Sequence, residues 1–127
     1  MGKERLVHEE LTKSVLGAFF EVYNTLGFGF LESNYASALQ IELRLRGHII
    51  QREVPLEISY KGQRIGSYRI DMIVDSSLVI EIKSTPSLPP TAQRQLLNYL
   101  KATDLPVGLV LHFGPKPAFH RQVYTIR

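Results

Sequence analysis

The stretch Tyr68–Lys83 constrains this chain more than any other. It reads Tyr68-Arg69-Ile70-Asp71-Met72-Ile73-Val74-Asp75, then Ser76-Ser77, then Leu78-Val79-Ile80-Glu81-Ile82-Lys83. Two β-type runs around a short polar break read as a hairpin. Side chains alternate along a strand, so Val79, Glu81 and Lys83 share one face and Leu78, Ile80 and Ile82 the other. Charge on a face of so apolar a strand costs stability unless it is paired or holds a metal.

Hairpin register decides whether the charges meet. With a two-residue loop, Asp75 pairs with Leu78, and Asp71 lies opposite Ile82, away from the Glu81 face. A three-residue loop, Asp75-Ser76-Ser77, puts Asp71 directly opposite Glu81. Facing Cβ atoms are then roughly 4.5–5.5 Å apart. Two carboxylates that close repel unless a divalent cation sits between them. The odd loop and a hard cation on Asp71 and Glu81 are therefore predicted, with the Ile82 carbonyl as a third ligand. Oxygen ligands plus several waters suit Mg²⁺, or Mn²⁺ in its place. Lys83 would project beside the metal, to position a water nucleophile or stabilise developing negative charge. The competing reading is a self-satisfied ion pair of Lys83 with Asp71 or Glu81. The residues alone do not choose between the two.

Periodicity supplies the frame. Leu11, Val15, Ala18, Phe19, Val22 and Leu26 recur at helical steps, so residues 9–26 are predicted as a helix that Gly27-Phe28-Gly29 stops. A second helix is predicted over Leu31–Arg46, with Leu31, Tyr35, Ala38, Leu39, Glu42 and Leu45 on related turns and Gly47 as its stop. Strands follow over Ile49–Val54 and Leu56–Tyr60, with Pro55 marking an edge or bulge, then Gln63–Val74 and Leu78–Lys83. After a loop with three prolines between Ser84 and Pro90, Thr91 is expected to cap a helix over Ala92–Thr103. Leu105–Phe113 reads as a strand buried on both faces, and Arg121–Ile126 as an edge strand. A helix between the third and fourth strands is a crossover, which makes those strands parallel in one mixed sheet.

The whole frame is an αα-βββ-α-ββ order, an α/β fold with a central mixed sheet flanked by helices. A chain of 127 residues suits one domain, 1–127. It is 44% hydrophobic and 21% charged, ordinary for a globular protein. No apolar run is long enough to span a bilayer, no signal-peptide core leads the sequence, and cysteine is absent. A cytoplasmic, membrane-free setting fits. The net charge of +3 permits nucleic acid as a partner but does not demand it.

Asp71, nine intervening residues and then Glu81-Ile82-Lys83 resemble the PD-(D/E)XK nuclease signature. Gly29-Phe30-Leu31-Glu32-Ser33-Asn34-Tyr35 matches the motif that names the GxxExxY proteins, a bacterial branch of that superfamily. Gln95 and Tyr99 are similar in spacing to the QxxxY motif of RecB-like members. The resemblance runs from about Leu11 to the C-terminus, and its three motifs occur in order on suitable elements. It implies a restriction-endonuclease-like core and a metal-dependent nuclease acting on nucleic acid, with DNA the expected substrate. Asp71 and Glu81 would be metal ligands and Lys83 the catalytic lysine. Glu32 would contribute to the metal directly or through water, and Gln95 and Tyr99 would line the site. Ile70 stands where the superfamily name has proline, and His112-Phe113-Gly114 where Asn-Phe-Gly is expected.

Other residues have blander readings. Glu53 is read as a strand acid paired with Arg69 or Arg64. The four histidines lack zinc spacing, and His112 is read as a satisfied structural histidine. No phosphate-binding glycine loop is present, and no serine has a His and Asp arrangement that suggests a triad. The scattered basic residues read mostly as solvated surface, some as a phosphate-tracking rim. The alternative function is a binding or regulatory module that keeps the nuclease fold without turnover, and a homodimer or partner protein would suit so small a chain.

Overall fold

A computed structural model describes residues Gly2–Thr125. The elements are α1 (Gly2–Leu26), α2 (Glu32–Leu45), β1 (Ile50–Tyr60), β2 (Gln63–Val74), β3 (Leu78–Lys83), α3 (Thr91–Thr103), β4 (Val107–Phe113) and β5 (Pro117–Val123). The strands form one sheet in the order β1-β2-β3-β4-β5. β3 and β4 pair parallel, with α3 as the crossover, and the other neighbours pair antiparallel. This is the mixed, helix-flanked α/β sheet that the periodicity predicts, and it agrees with the restriction-endonuclease-like core that the resemblance implies.

Alternation along the central strands divides the core in two. Met72, Val74, Leu78, Ile80 and Ile82 meet Val15, Phe19, Tyr35 and Leu39 of α1 and α2. Val79 and Val110 meet Ala92, Leu96 and Leu100 of α3 on the opposite face. β4 is buried along its whole length, as a strand covered on both faces must be. Gly108 lies under α3, where a Cβ would come within 2.7 Å of Leu96 Cδ1.

Several boundaries differ from the sequence reading. α1 begins at Gly2, ahead of the predicted start at residue 9, because a helix once nucleated propagates through residues of good propensity. In α2 the buried face is Tyr35, Ala36, Leu39 and Leu43, while Leu31 and Leu45 are exposed. Strand β1 runs unbroken through Pro55, which an edge strand tolerates. Thr91 does not cap α3; Pro90 occupies the cap position, with no side-chain hydrogen bond. β5 starts at Pro117, directly after the turn Gly114–Lys116, and stops at Val123. Ile126, at the end of the predicted strand, lies outside the described residues. Among the described residues no helix is long and apolar enough to cross a membrane.

Candidate active site at the fork of β2 and β3

The hairpin has the odd loop. Val74 pairs with Leu78 and Met72 with Ile80, so Asp75, Ser76 and Ser77 make the turn and the register points Asp71 at Glu81. The ladder ends there, and β2 and β3 diverge. Across the fork the Asp71 carboxylate accepts a hydrogen bond from the Ile82 N–H at 2.7 Å. A side chain thus replaces the next rung of backbone pairing.

Asp71 also marks a break in β2. Met72 and Val74 face α1 and α2, yet Ile70 joins Ile73 on the α3 side, so alternation slips at Asp71. Opposite it, Glu53 has a left-handed φ of 50° and is skipped in the β1–β2 pairing. Backbone distortion of this kind re-aims side chains. The Glu53 side chain pairs with Arg69 at 3.5 Å, as expected for a strand acid.

Glu81 is only 4% exposed, and its Oε1 has no hydrogen-bond partner. Its Oε2 lies 3.5 Å from Lys83 Nζ. Burial, then the negative charge of Asp71, pushes the Glu81 carboxyl up to about 8, against a smaller opposing pull from Lys83. Lys83 therefore does not neutralise the site. The hairpin register sets Asp71 across from Glu81, and the orphaned oxygen leaves room there for a hydrogen-bond donor or a cation. The donor set, two carboxylates beside a strand carbonyl, fits a hard divalent cation. Among the described residues no third His, Cys, Asp or Glu joins these two in a cluster.

The remaining predicted residues lie on the helices to either side of the hairpin. Glu32, at the start of α2, accepts a hydrogen bond from the Ser84 N–H at 3.4 Å, just beyond Lys83. With Asp71, Ile82, Arg52 and Glu53 it lines a cleft of about 210 Å³. From α3, the Gln95 amide donates to the Tyr99 hydroxyl at 2.9 Å. Burial, then Glu81 and Asp71, pushes Tyr99 up to about 12, so it remains a neutral phenol that feels the acidic pair.

Tyr35, the other aromatic of the motifs, is not at the fork. It is fully buried, stacks on Phe113 at 4.1 Å between centroids, and donates its hydroxyl to the Gly27 carbonyl while accepting from the Phe30 N–H. Gly29 in the same turn has φ of 120°, open to glycine but not to other residues. Gly29 and Tyr35 thus fix the turn, and the turn sets where Glu32 stands. His112 is structural: its Nε2 hydrogen-bonds the Thr85 carbonyl at 2.7 Å and anchors the loop after Lys83. Gly114 must lack a side chain, since a Cβ would come within 2.6 Å of that ring.

Two features escape sequence reasoning. Arg52 enters the cleft wall, its guanidinium bonded to Ser37 and Gln40 of α2. Ser14, His48 and Asp75 form a hydrogen-bonded chain, contrary to the expectation that no serine has such an arrangement. Ser14 Oγ is 2.7 Å from His48 Nε2, and His48 Nδ1 is 2.7 Å from Asp75 Oδ2. Asp75 can only accept when ionised, so Nδ1 donates to it and neutral His48 accepts from Ser14. Ser14 sits mid-helix, where backbone N–H groups are spent on the helical ladder and none is left for an oxyanion. The chain is a clasp: it ties α1 to the α2–β1 connection and to the hairpin loop, where Asp75 also accepts from the Ile49 N–H. His48→Ala is expected to cost about 1–2 kcal/mol in denaturant unfolding while leaving the fork's chemistry unchanged.

Fold and fork together define a restriction-endonuclease-like α/β protein with an acid–acid–lysine site. The chain belongs to the PD-(D/E)XK nuclease superfamily, whose family model matches residues 9–124. A solved structure described as "Crystal structure of SSO0001" is similar, at 28% identity and a TM-score of 0.52, over 70% of this chain and 49% of that one. The chain spans about half the length of that structure. No curated protein matches.

Proposed function

We propose that the protein is a divalent-metal-dependent nuclease that hydrolyses phosphodiester bonds of nucleic acid, with DNA the expected substrate. The observation that carries this reading is the buried Glu81 set across from Asp71, with one carboxylate oxygen unpartnered and Lys83 Nζ 3.5 Å from the other. Asp71, Glu81 and the Ile82 carbonyl would hold Mg²⁺ or Mn²⁺, with Glu32 contributing directly or through water. When bound, the ion supplies Lewis-acid polarisation of a phosphoryl oxygen.

The chain's own residues do the rest. Lys83 donates hydrogen bonds from its ammonium, holding the attacking water or the phosphoryl oxygens that gain charge as the water oxygen bonds to phosphorus. The attacking water gives up a proton to solvent, the phosphorus–oxygen bond to the leaving sugar breaks, and that oxygen takes up a proton from solvent. The Asp71–Ile82 hydrogen bond keeps the first carboxylate oriented. Tyr99, a phenol at neutral pH, stands on the α3 wall with its hydroxyl held between the Gln95 amide, which donates to it, and the Arg69 carbonyl, which accepts from it.

Cleavage assays on single- and double-stranded DNA and RNA with Mg²⁺ or Mn²⁺ test the reading. Activity is expected on at least one substrate, and Lys83→Ala is expected to lose at least about 100-fold in rate. If wild type and Lys83→Ala are equally inert on every substrate, the reading fails, and the binding-module alternative takes its place if nucleic acid still binds.

A further inference from the structure

The hairpin β1–β2 is longer than the sheet it belongs to. β2 pairs with β3 only over Met72–Val74, whereas β1 and β2 stay paired out to Tyr60 and Gln63. The overhanging ribbon leans over α3, and between them runs a groove of about 650 Å³. Leu56, Ile58 and Tyr68 form its ribbon wall, and Arg94, Asn98 and Lys101 stand on its helix wall. Gln95 and Tyr99 line it as well, and Tyr99 is within electrostatic reach of Glu81 and Asp71. Tyr99 is thus the lining residue that connects the groove to the acidic pair.

Its walls differ in chemistry. Tyr68 is 47% exposed yet held in place. Its ring meets Tyr99 edge-on, 6.2 Å between centroids, and lies against Gly66, where a Cβ would come within 3.2 Å of Tyr68 Cε2. Gly66 thus leaves room for the ring. Arg94 and Lys101 bring two positive charges, and Asn98 adds an amide that can pair with a base edge.

We propose that this groove binds unpaired nucleotides of the substrate strand, with a base stacked on Tyr68 and flanking phosphates held by Arg94 and Lys101. The proposal rests on the nuclease reading and names its substrate class as single-stranded nucleic acid. Three observations select this occupant. An exposed, immobilised ring is a stacking platform for any base. Cations on the facing wall complement the phosphate backbone. A cleft of about 650 Å³ admits individual nucleotides rather than the width of a duplex.

The test is fluorescence anisotropy in EDTA with fluorescein-labelled oligothymidylate or oligouridylate of about 12 nucleotides. Tyr68→Ala is expected to weaken binding by at least about 5-fold, and Tyr68→Phe, which keeps the ring, to leave it near wild type. Arg94→Ala with Lys101→Ala is expected to flatten the salt dependence by about 0.7 in log–log slope for each phosphate no longer neutralised. Ala102→Trp fills the groove from the exposed helix surface and is expected to weaken binding with Tyr68 intact. Thermal unfolding of each variant confirms the fold. Binding of either labelled strand that depends on Tyr68 and Ala102 supports the groove. Binding that ignores both variants, or a duplex of equal length that competes as well as the single strand, overturns it. No metal or turnover enters this measurement, so an inert protein would sink the nuclease reading without deciding the groove. A working nuclease indifferent to Tyr68 and Ala102 would sink the groove alone.

Discussion

Glu81→Gln will stabilise the metal-free protein at alkaline pH while removing its hydrolytic activity. Burial and the charge of Asp71 raise the folded carboxyl from 4.5 to about 8. The folded state therefore holds a proton that the unfolded state releases. That contribution is fully present below 4.5, declines as pH rises, and is gone above about 8. Above that point the wild-type fold carries an uncompensated buried charge beside Asp71, with only Lys83 in opposition. Glutamine removes the charge at similar volume, and a gain of about 1–3 kcal/mol is expected there, fading toward acid pH. Denaturant unfolding in EDTA at about pH 5 and about pH 9 measures both ends. Parallel curves for wild type and variant would contradict the burial argument. Addition of Mn²⁺ should reverse the order, because a ligand that binds only the folded wild type stabilises it by about 4.1 kcal/mol at a thousandfold excess over its Kd.

The largest loss of stability is expected at Tyr35. Its ring fills the space between α2 and Phe113, and its hydroxyl closes the Gly27–Phe30 turn. Tyr35→Ala removes both and is expected to cost about 3–5 kcal/mol. Tyr35→Phe keeps the ring and should cost about 1–3 kcal/mol, because it leaves a carbonyl and an N–H without their partner. If Tyr35 works only through the turn, Tyr35→Phe should also lower cleavage to about the level of Glu32→Gln, since both loosen the same corner of the site. A Tyr35→Phe protein with wild-type stability would show that the hydroxyl holds nothing.

The odd hairpin loop was legible because it is the register that brings Asp71 and Glu81 onto one face. The split of β3 into a Leu78-Ile80-Ile82 face and a Val79-Glu81-Lys83 face follows from alternation alone. The slip at Asp71 was not legible, because it depends on the left-handed Glu53 of a neighbouring strand, and single-strand periodicity cannot register its neighbour's backbone. The clasp was hidden for a related reason: Ser14 and His48 are 34 residues apart and His48 and Asp75 are 27 apart, so only the packing of α1 against the hairpin end joins them. Leu31 and Leu45 misled because they keep helical spacing at the ends of α2, beyond the reach of the sheet. Tyr35 was tied to Glu32 by the motif, but its part is mechanical.

The Asp71–Ile82 hydrogen bond gives the fork its own spectroscopic reporter. Most sheet amides are shielded by carbonyl acceptors, whose basicity is fixed. The Ile82 amide is shielded by the Asp71 carboxylate, which would feel any cation bound at the fork. Its proton chemical shift and its exchange with deuterium therefore record the state of Asp71, one bond away from the chemistry, in a protein that need not turn over at all.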